Sequence, residues 1–182
     1  MVCFSQLIKS IKIMDPIMNR KISTMILQLL VLFSSPWAVA GSSLCTQHEV
    51  VYFSCQADKG ILSLCGLMKG SKLEGIQVRL GTMESLIFKY PNSMDGSLKS
   101  FKYSRYTRPL VTDVKISFES DNVDYELYKD SSYEENPKKE DWAAGLTETS
   151  GNDVEDLATC KSYPNARLAD LEDILENEDF LE

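Results

Sequence analysis

The chain has 182 residues, of which 43% are hydrophobic and 25% charged, and its formal net charge is −8. An acidic total of this size disfavours a polyanion as the natural partner, because phosphate contacts would compete with a larger like-charge field, while a basic partner is not disfavoured. The charge is unevenly spread: residues 41–116 carry ten Lys/Arg against six Asp/Glu, and residues 117–182 carry five against twenty.

In chain order, the first feature is the stretch MNRKISTMILQLLVLFSSPWAVAGSS from Met18. Arg20 and Lys21 form a positive n-region, Met25 to Phe33 an apolar core of nine residues, and Ala38-Val39-Ala40 a small-x-small site. That order is the pattern of a secretory signal peptide over residues 1–40, cleaved after Ala40. The seventeen residues before Met18 include an Asp and a Pro and make a poor n-region, so Met18 reads as the true start. Nine apolar residues span about half of the roughly 20 that a bilayer requires. Cys45 follows Ser43-Leu44 and does not fit a lipoprotein site. The expectation is a periplasmic or secreted product without a membrane anchor after cleavage, folded as a single domain over residues 41–182.

Four cysteines remain in that domain: Cys45, Cys55, Cys65 and Cys160. An even number in an exported chain predicts two disulfides. Gaps of ten, ten and ninety-five lack the short spacing of a metal-thiolate site, and neither a metal nor a cofactor is expected. The runs EVVYFSCQ and ILSLCG flank Ala57-Asp58-Lys59-Gly60, a hairpin turn. With that turn, Cys55 falls opposite Leu62 and Cys65 opposite Tyr52, on opposite faces and too far apart to bridge unless a bulge intervenes. The preferred pairing is therefore Cys45–Cys65 and Cys55–Cys160. His48-Glu49, which holds the only histidine, reads as two solvated residues entering a strand.

Further along, GIQVRLG sets Ile76, Val78 and Leu80 against Gln77 and Arg79, and SLIFKY ends at Pro91-Asn92. In TDVKISFES, Val114, Ile116 and Phe118 face one way; in VDYELY, Val123, Tyr125 and Leu127 do the same, with Asp121-Asn122 as the turn between them. Period-two alternation of this kind marks half-buried strands. The fold class expected is all-β, a single antiparallel barrel or sandwich of about eight strands, disulfide-bonded. DSSYEENPKKEDW, Asp130 to Trp142, reads as an exposed loop. ARLADLEDILENEDFLE spaces Leu168, Leu171, Ile174 and Leu175 as a short amphipathic helix from Ala166 to about Glu178, packing one stripe on the domain.

The stretch KSFKYSRYTRPL, Lys99 to Leu110, mixes cations and aromatic rings on both faces of a strand. A bulge near Ser104 would shift the register and relieve buried charge, and Pro109 ends the strand or places it at an edge. Its cations either face the acidic half of the same protein or contribute to a protein-binding face; export and net charge disfavour nucleic acid. The candidate protein-binding residues are Lys102, Tyr103, Arg105, Tyr106 and Arg108, together with Tyr133, Lys138 and Lys139 in the long loop. No nucleophile elbow, Walker loop, dinucleotide-binding glycine pattern or spaced carboxylate pair occurs, so no catalytic residue is nominated.

LCTQHEVVYFSC…ILSLCG, IQVRLG, FKYSRYTRPLVTDVKISF, YELYKD and AAGLTE together resemble a group of small exported bacterial proteins of unassigned function. These share an LC…FSC…S-x-C opening, a Y-R-Y/F-G-like strand and a Y-x-R-Y strand leading to an alternating one. The similarity covers most of residues 44–160, and the ending LADLEDIL matches as well. It implies one domain and carries no activity. Val78-Arg79-Leu80-Gly81 lacks the tyrosines of the group's strand, so no role is carried over for them. The architecture is also similar to that of the bacterial inhibitors of c-type lysozyme, with SSYEENPKKEDW as the nearest counterpart of a protruding loop. The function expected is a non-catalytic, exported protein-binding domain, an inhibitor of a cell-wall hydrolase or an immunity factor. The alternative is a structural or stress-related envelope protein with a small ligand or none.

Overall fold

The computed structural model describes residues 43–151 and 153–178, so the expected signal peptide lies outside the described residues. Nine strands of five to ten residues and two two-residue strands build two sheets. They are β1 (Glu49–Ala57), β2 (Gly60–Lys69), β3 (Lys72–Gly81), β4 (Leu86–Tyr90), β5 (Lys102–Arg108), β6 (Val111–Ser120), β7 (Val123–Ser132), β8 (Asp141–Ser150), β9 (Asp153–Thr159), β10 (Asn165–Ala166) and β11 (Glu176–Asn177). The first sheet runs β10-β1-β2-β3-β4 and the second β11-β5-β6-β7-β8-β9; all pairings are antiparallel except β11 with β5. The protein is all-β and sandwich-like.

Alternation dictates what each sheet buries. Ile76, Val78 and Leu80 of β3 meet Val114, Ile116 and Phe118 of β6 in one core, joined by Phe53, Leu62, Leu64, Phe101, Leu127 and Leu146. The rings of Tyr90, Phe118 and Tyr125 stack in sequence at 4.7 and 5.2 Å, which fixes β4 over β6 and β7. The hairpin at Asp58-Lys59 forms as expected, and Asp121 and Asn122 turn the chain with φ of 55° and 60°, a conformation their short polar side chains tolerate. Position 75 within β3 takes glycine because a Cβ there would lie 1.6 Å from the Met94 carbonyl oxygen.

The disulfides join Cys45 to Cys65 and Cys55 to Cys160. Cys55 stands opposite Leu62, but a bulge between Val51 and Phe53 sets Cys65 opposite Val51 and not Tyr52. Cys65 therefore faces away from the core, and its bond to Cys45 straps residues 43–48 across the outer face of the first sheet. Under this strap the Leu44 N–H donates to Ser63 Oγ, and Arg79 donates to the Leu44 carbonyl and to both carboxylate oxygens of Glu49. Glu49 is thus no solvated residue: its side chain is only 8% exposed. Burial alone would raise its pKa, but the hydrogen bonds from Arg79 and the Thr46 N–H hold it below the usual range. The Cys45 and Cys65 sulfurs lie beside this carboxylate but are bonded to each other, which leaves no thiolate for a metal.

Two further expectations are corrected. Residues 166–178 form no α-helix. A 3₁₀ turn at Leu168–Leu171 is followed by irregular turns and then by β11. Leu168, Leu171 and Leu175 still enter the core, whereas Ile174 is exposed. The acids Glu172, Asp173 and Glu176 oppose a helix dipole at that end, and pairing of Glu176 and Asn177 with Lys102 and Tyr103 draws the chain into extended form. Nor is there a bulge in β5, whose register with β6 is regular from Lys102↔Ser117 to Arg108↔Val111. The charge problem is solved by position: Phe101 and Tyr103 fill the core, and Arg105 on the same face lies beyond the core's edge, 3.0 Å from Glu172.

On the outer face of the second sheet, Asp113 stands directly opposite Asp130, and Asp130 Oδ1 is buried without a hydrogen-bond partner. Burial first, then the Asp113 charge, pushes the Asp130 pKa up to about 6; Glu126 adds to this, and Lys115 and Lys129 oppose it. The folded state therefore binds a proton near pH 6 that the unfolded chain, with a pKa of about 4, does not. Stability should rise as the pH falls from 7.5 to 5.5. Asp130→Asn should raise the thermal midpoint at pH 7.5, by a gain of about 1 kcal/mol after allowance for solvent screening, and should flatten this pH dependence. Thermal melts of both proteins across that range check it; equal slopes would contradict it.

Candidate protein-binding end of the sandwich

Two connections meet at one end of the second sheet: the β5–β6 turn at Pro109-Leu110 and the β7–β8 loop, residues 133–140. The strands flanking this loop extend further than the sequence suggested, so the exposed segment shrinks to these eight residues. The Tyr133 N–H donates to the Leu110 carbonyl at 2.9 Å. The Arg108 guanidinium forks onto both oxygens of Glu134, raising its own pKa and lowering that of the carboxyl. The sequence-nominated Arg108, Tyr133, Lys138 and Lys139 thus share one end of the molecule, with the two lysines exposed at the loop tip.

The remaining nominated residues lie elsewhere. Tyr103 is 1% exposed and belongs to the core, its hydroxyl without a hydrogen-bond partner. Lys102 pairs with Glu178 at 2.8 Å and Arg105 with Glu172, both near the chain's last strand. Tyr106 is half-buried on the outer face, opposite Asp113. The cations of this stretch that form ion pairs therefore take acids of the C-terminal half as partners.

Several residues at the loop end were not nominated from the sequence. Glu140 accepts hydrogen bonds from the hydroxyls of Tyr163 at 2.8 Å and Tyr133 at 3.3 Å, and its other oxygen lies 3.3 Å from Lys129 Nζ. Burial alone would raise the Glu140 pKa, but hydrogen bonds from Ser131, Tyr163 and Lys129 hold it below the usual range. Lys129 also donates to Ser131 Oγ and sits 5.4 Å from the centre of the Tyr163 ring, which meets Trp142 edge-on at 5.6 Å. One carboxylate thereby holds two tyrosines from different loops in fixed positions. Tyr163 remains 55% exposed, Tyr133 37% and Leu110 53%.

Leu110 adds a further signal, for its φ is 69°. Pro at the preceding position fits a type II turn, which then demands a positive φ where glycine is the favoured residue. A leucine there costs about 1 kcal/mol and still presents an apolar side chain to solvent. No family model matches the chain, and neither the curated proteins nor the solved structures contain a match.

Leu110→Gly should relieve the strained turn. Allowing for the greater freedom of glycine in the unfolded chain, urea unfolding should show a gain of about 0.5 kcal/mol. A loss of stability would mean that the Leu110 side chain packs against the fold rather than being held out from it.

Proposed function

We propose that this chain is an exported, non-catalytic protein-binding domain and that the loop end around Leu110, Tyr133 and Tyr163 is its contact surface. The observation that carries this reading is an exposed leucine held at a strained backbone position beside two tyrosines anchored on Glu140. Aromatic anchors that lose little freedom on binding, beside a paired arginine, have the composition of interface hot spots. Two disulfides suit an oxidising compartment, the periplasm or the exterior of the cell. The twenty acids of residues 117–182 favour a basic partner through steering and complementarity. An inhibitor of a cell-wall hydrolase and an immunity factor against a toxin are the concrete forms of such a protein.

The test is an affinity pull-down. The disulfide-bonded protein is immobilised and exposed to envelope extract and to a panel of lysozymes. A partner should survive about 0.15 M salt and be lost with the Leu110→Gly and Tyr163→Ala variants. Retention of nothing by the folded protein would overturn the proposal in favour of a structural role; equal retention by both variants would move the contact surface elsewhere.

A further inference from the structure

A groove of about 630 Å3, within the usual size range of small-molecule sites, is lined by outward-facing residues of the second sheet and by rings at the edge of the core. It lies away from the 133–140 loop. Lys102 and Ser104 of β5, Lys115 and Ser117 of β6, and Asp124 and Glu126 of β7 contribute to its floor. Lys99, Ser100 and Thr149 also line it, as do the stacked rings of Tyr90, Phe118 and Tyr125 at the core's edge.

The chemistry of this lining narrows what can occupy it. Lys102 and Ser117 both donate to Glu178, at 2.8 and 2.6 Å, and Lys115 lies 3.1 Å from Glu126. These cations are already neutralised. With three lysines against Glu119, Asp124, Glu126 and Glu178, the groove has no net positive charge to hold a phosphate or a polyanion. An aliphatic ligand would desolvate four carboxylates and three ammonium groups without replacing their hydrogen bonds. A neutral polyhydroxylated ligand meets neither objection. Each of its hydroxyls can donate to a carboxylate and accept from a neighbouring ammonium, so adjacent Lys–Glu pairs match vicinal diols. The serine and threonine hydroxyls and the two phenols extend the same donor–acceptor array.

We infer that this groove binds a neutral saccharide, two or three sugar units long, across β5, β6 and β7. The Lys115–Glu126 pair contacts its hydroxyls. This site is separate from the protein-binding end and does not depend on it.

The test is an NMR titration of the disulfide-bonded protein with maltotriose, cellotriose and chitotriose, with inorganic phosphate and a Lys-Glu-Lys tripeptide as controls. Saturable shifts confined to residues 90, 99–104, 115–126, 149 and 178 should appear with at least one saccharide. Glu126→Gln and Lys115→Gln should each weaken that binding at least tenfold while leaving the rest of the spectrum in place. The inference is overturned if no saccharide binds at 10 mM, if phosphate or the tripeptide binds the groove more tightly than any saccharide, or if both variants bind as the parent does.

Discussion

The sandwich depends on how its two sheets are tied, and the tie is one short stretch of chain, residues 159–178. At Thr159 and Cys160 the chain leaves the second sheet and bonds to the first. The Cys160 N–H donates to Ala144 of β8, the Lys161 N–H to Gln56 of β1, and the Cys160 sulfur is bonded to Cys55. It then runs beside β1 as β10, with the Arg167 N–H on the Tyr52 carbonyl. The 3₁₀ turn places Leu168 and Leu171 between the layers, and β11 ends the crossing on β5 through the Glu178 N–H and the Tyr103 carbonyl. A disulfide that closes a loop of 105 residues removes more freedom from the unfolded chain than the 20-residue Cys45–Cys65 bond, by about 1.5 kcal/mol on the loop-entropy model.

This tie also explains the fate of the cationic strand. Lys102 and Arg105 are not spare charges displayed to a partner; they meet Glu178 and Glu172, which the crossing segment brings to the β5 edge. Arg108 lies past that segment and pairs with a loop acid instead, so it alone of the strand's cations helps to shape the proposed contact surface. The uneven charge of the chain thus becomes a set of contacts between its basic middle and its acidic end. Exposed pairs of this kind contribute little each, and the buried leucines of the crossing segment outweigh them.

Much of this was legible in the sequence because strands with one buried face must alternate. The inward residues of β3 and β6 are those the pattern named, and the turns at Asp58 and Asp121 fall where their residue types demand. What was not legible depends on contacts distant in sequence. The spacing of Leu168, Leu171 and Leu175 is met as well by a 3₁₀ turn as by a helix, and the distant pairing of Glu176 with Lys102 weighs against the helix. Glu49 and Arg79 lie on the outward face that alternation reads as wet, yet the strap over residues 43–48 dries it. Cys65 was the available clue: it faces outward, so its partner Cys45 has to lie on that side. Within the loop end, Tyr133 could be read from an exposed loop, but Tyr163 joins it through Glu140 and Lys129, and Trp142 through the Tyr163 ring. The strain at Leu110 shows only in the backbone.

Amide hydrogen exchange along residues 159–178 of the disulfide-bonded protein tests most directly whether this segment ties the sheets. The account predicts that the Lys161, Arg167 and Glu178 amides exchange as slowly as those in the centres of β2 and β6, because opening them requires the sandwich to open. Exchange of these amides within seconds, with the strand centres still protected, would show that the sheets hold together without the segment and would contradict the account.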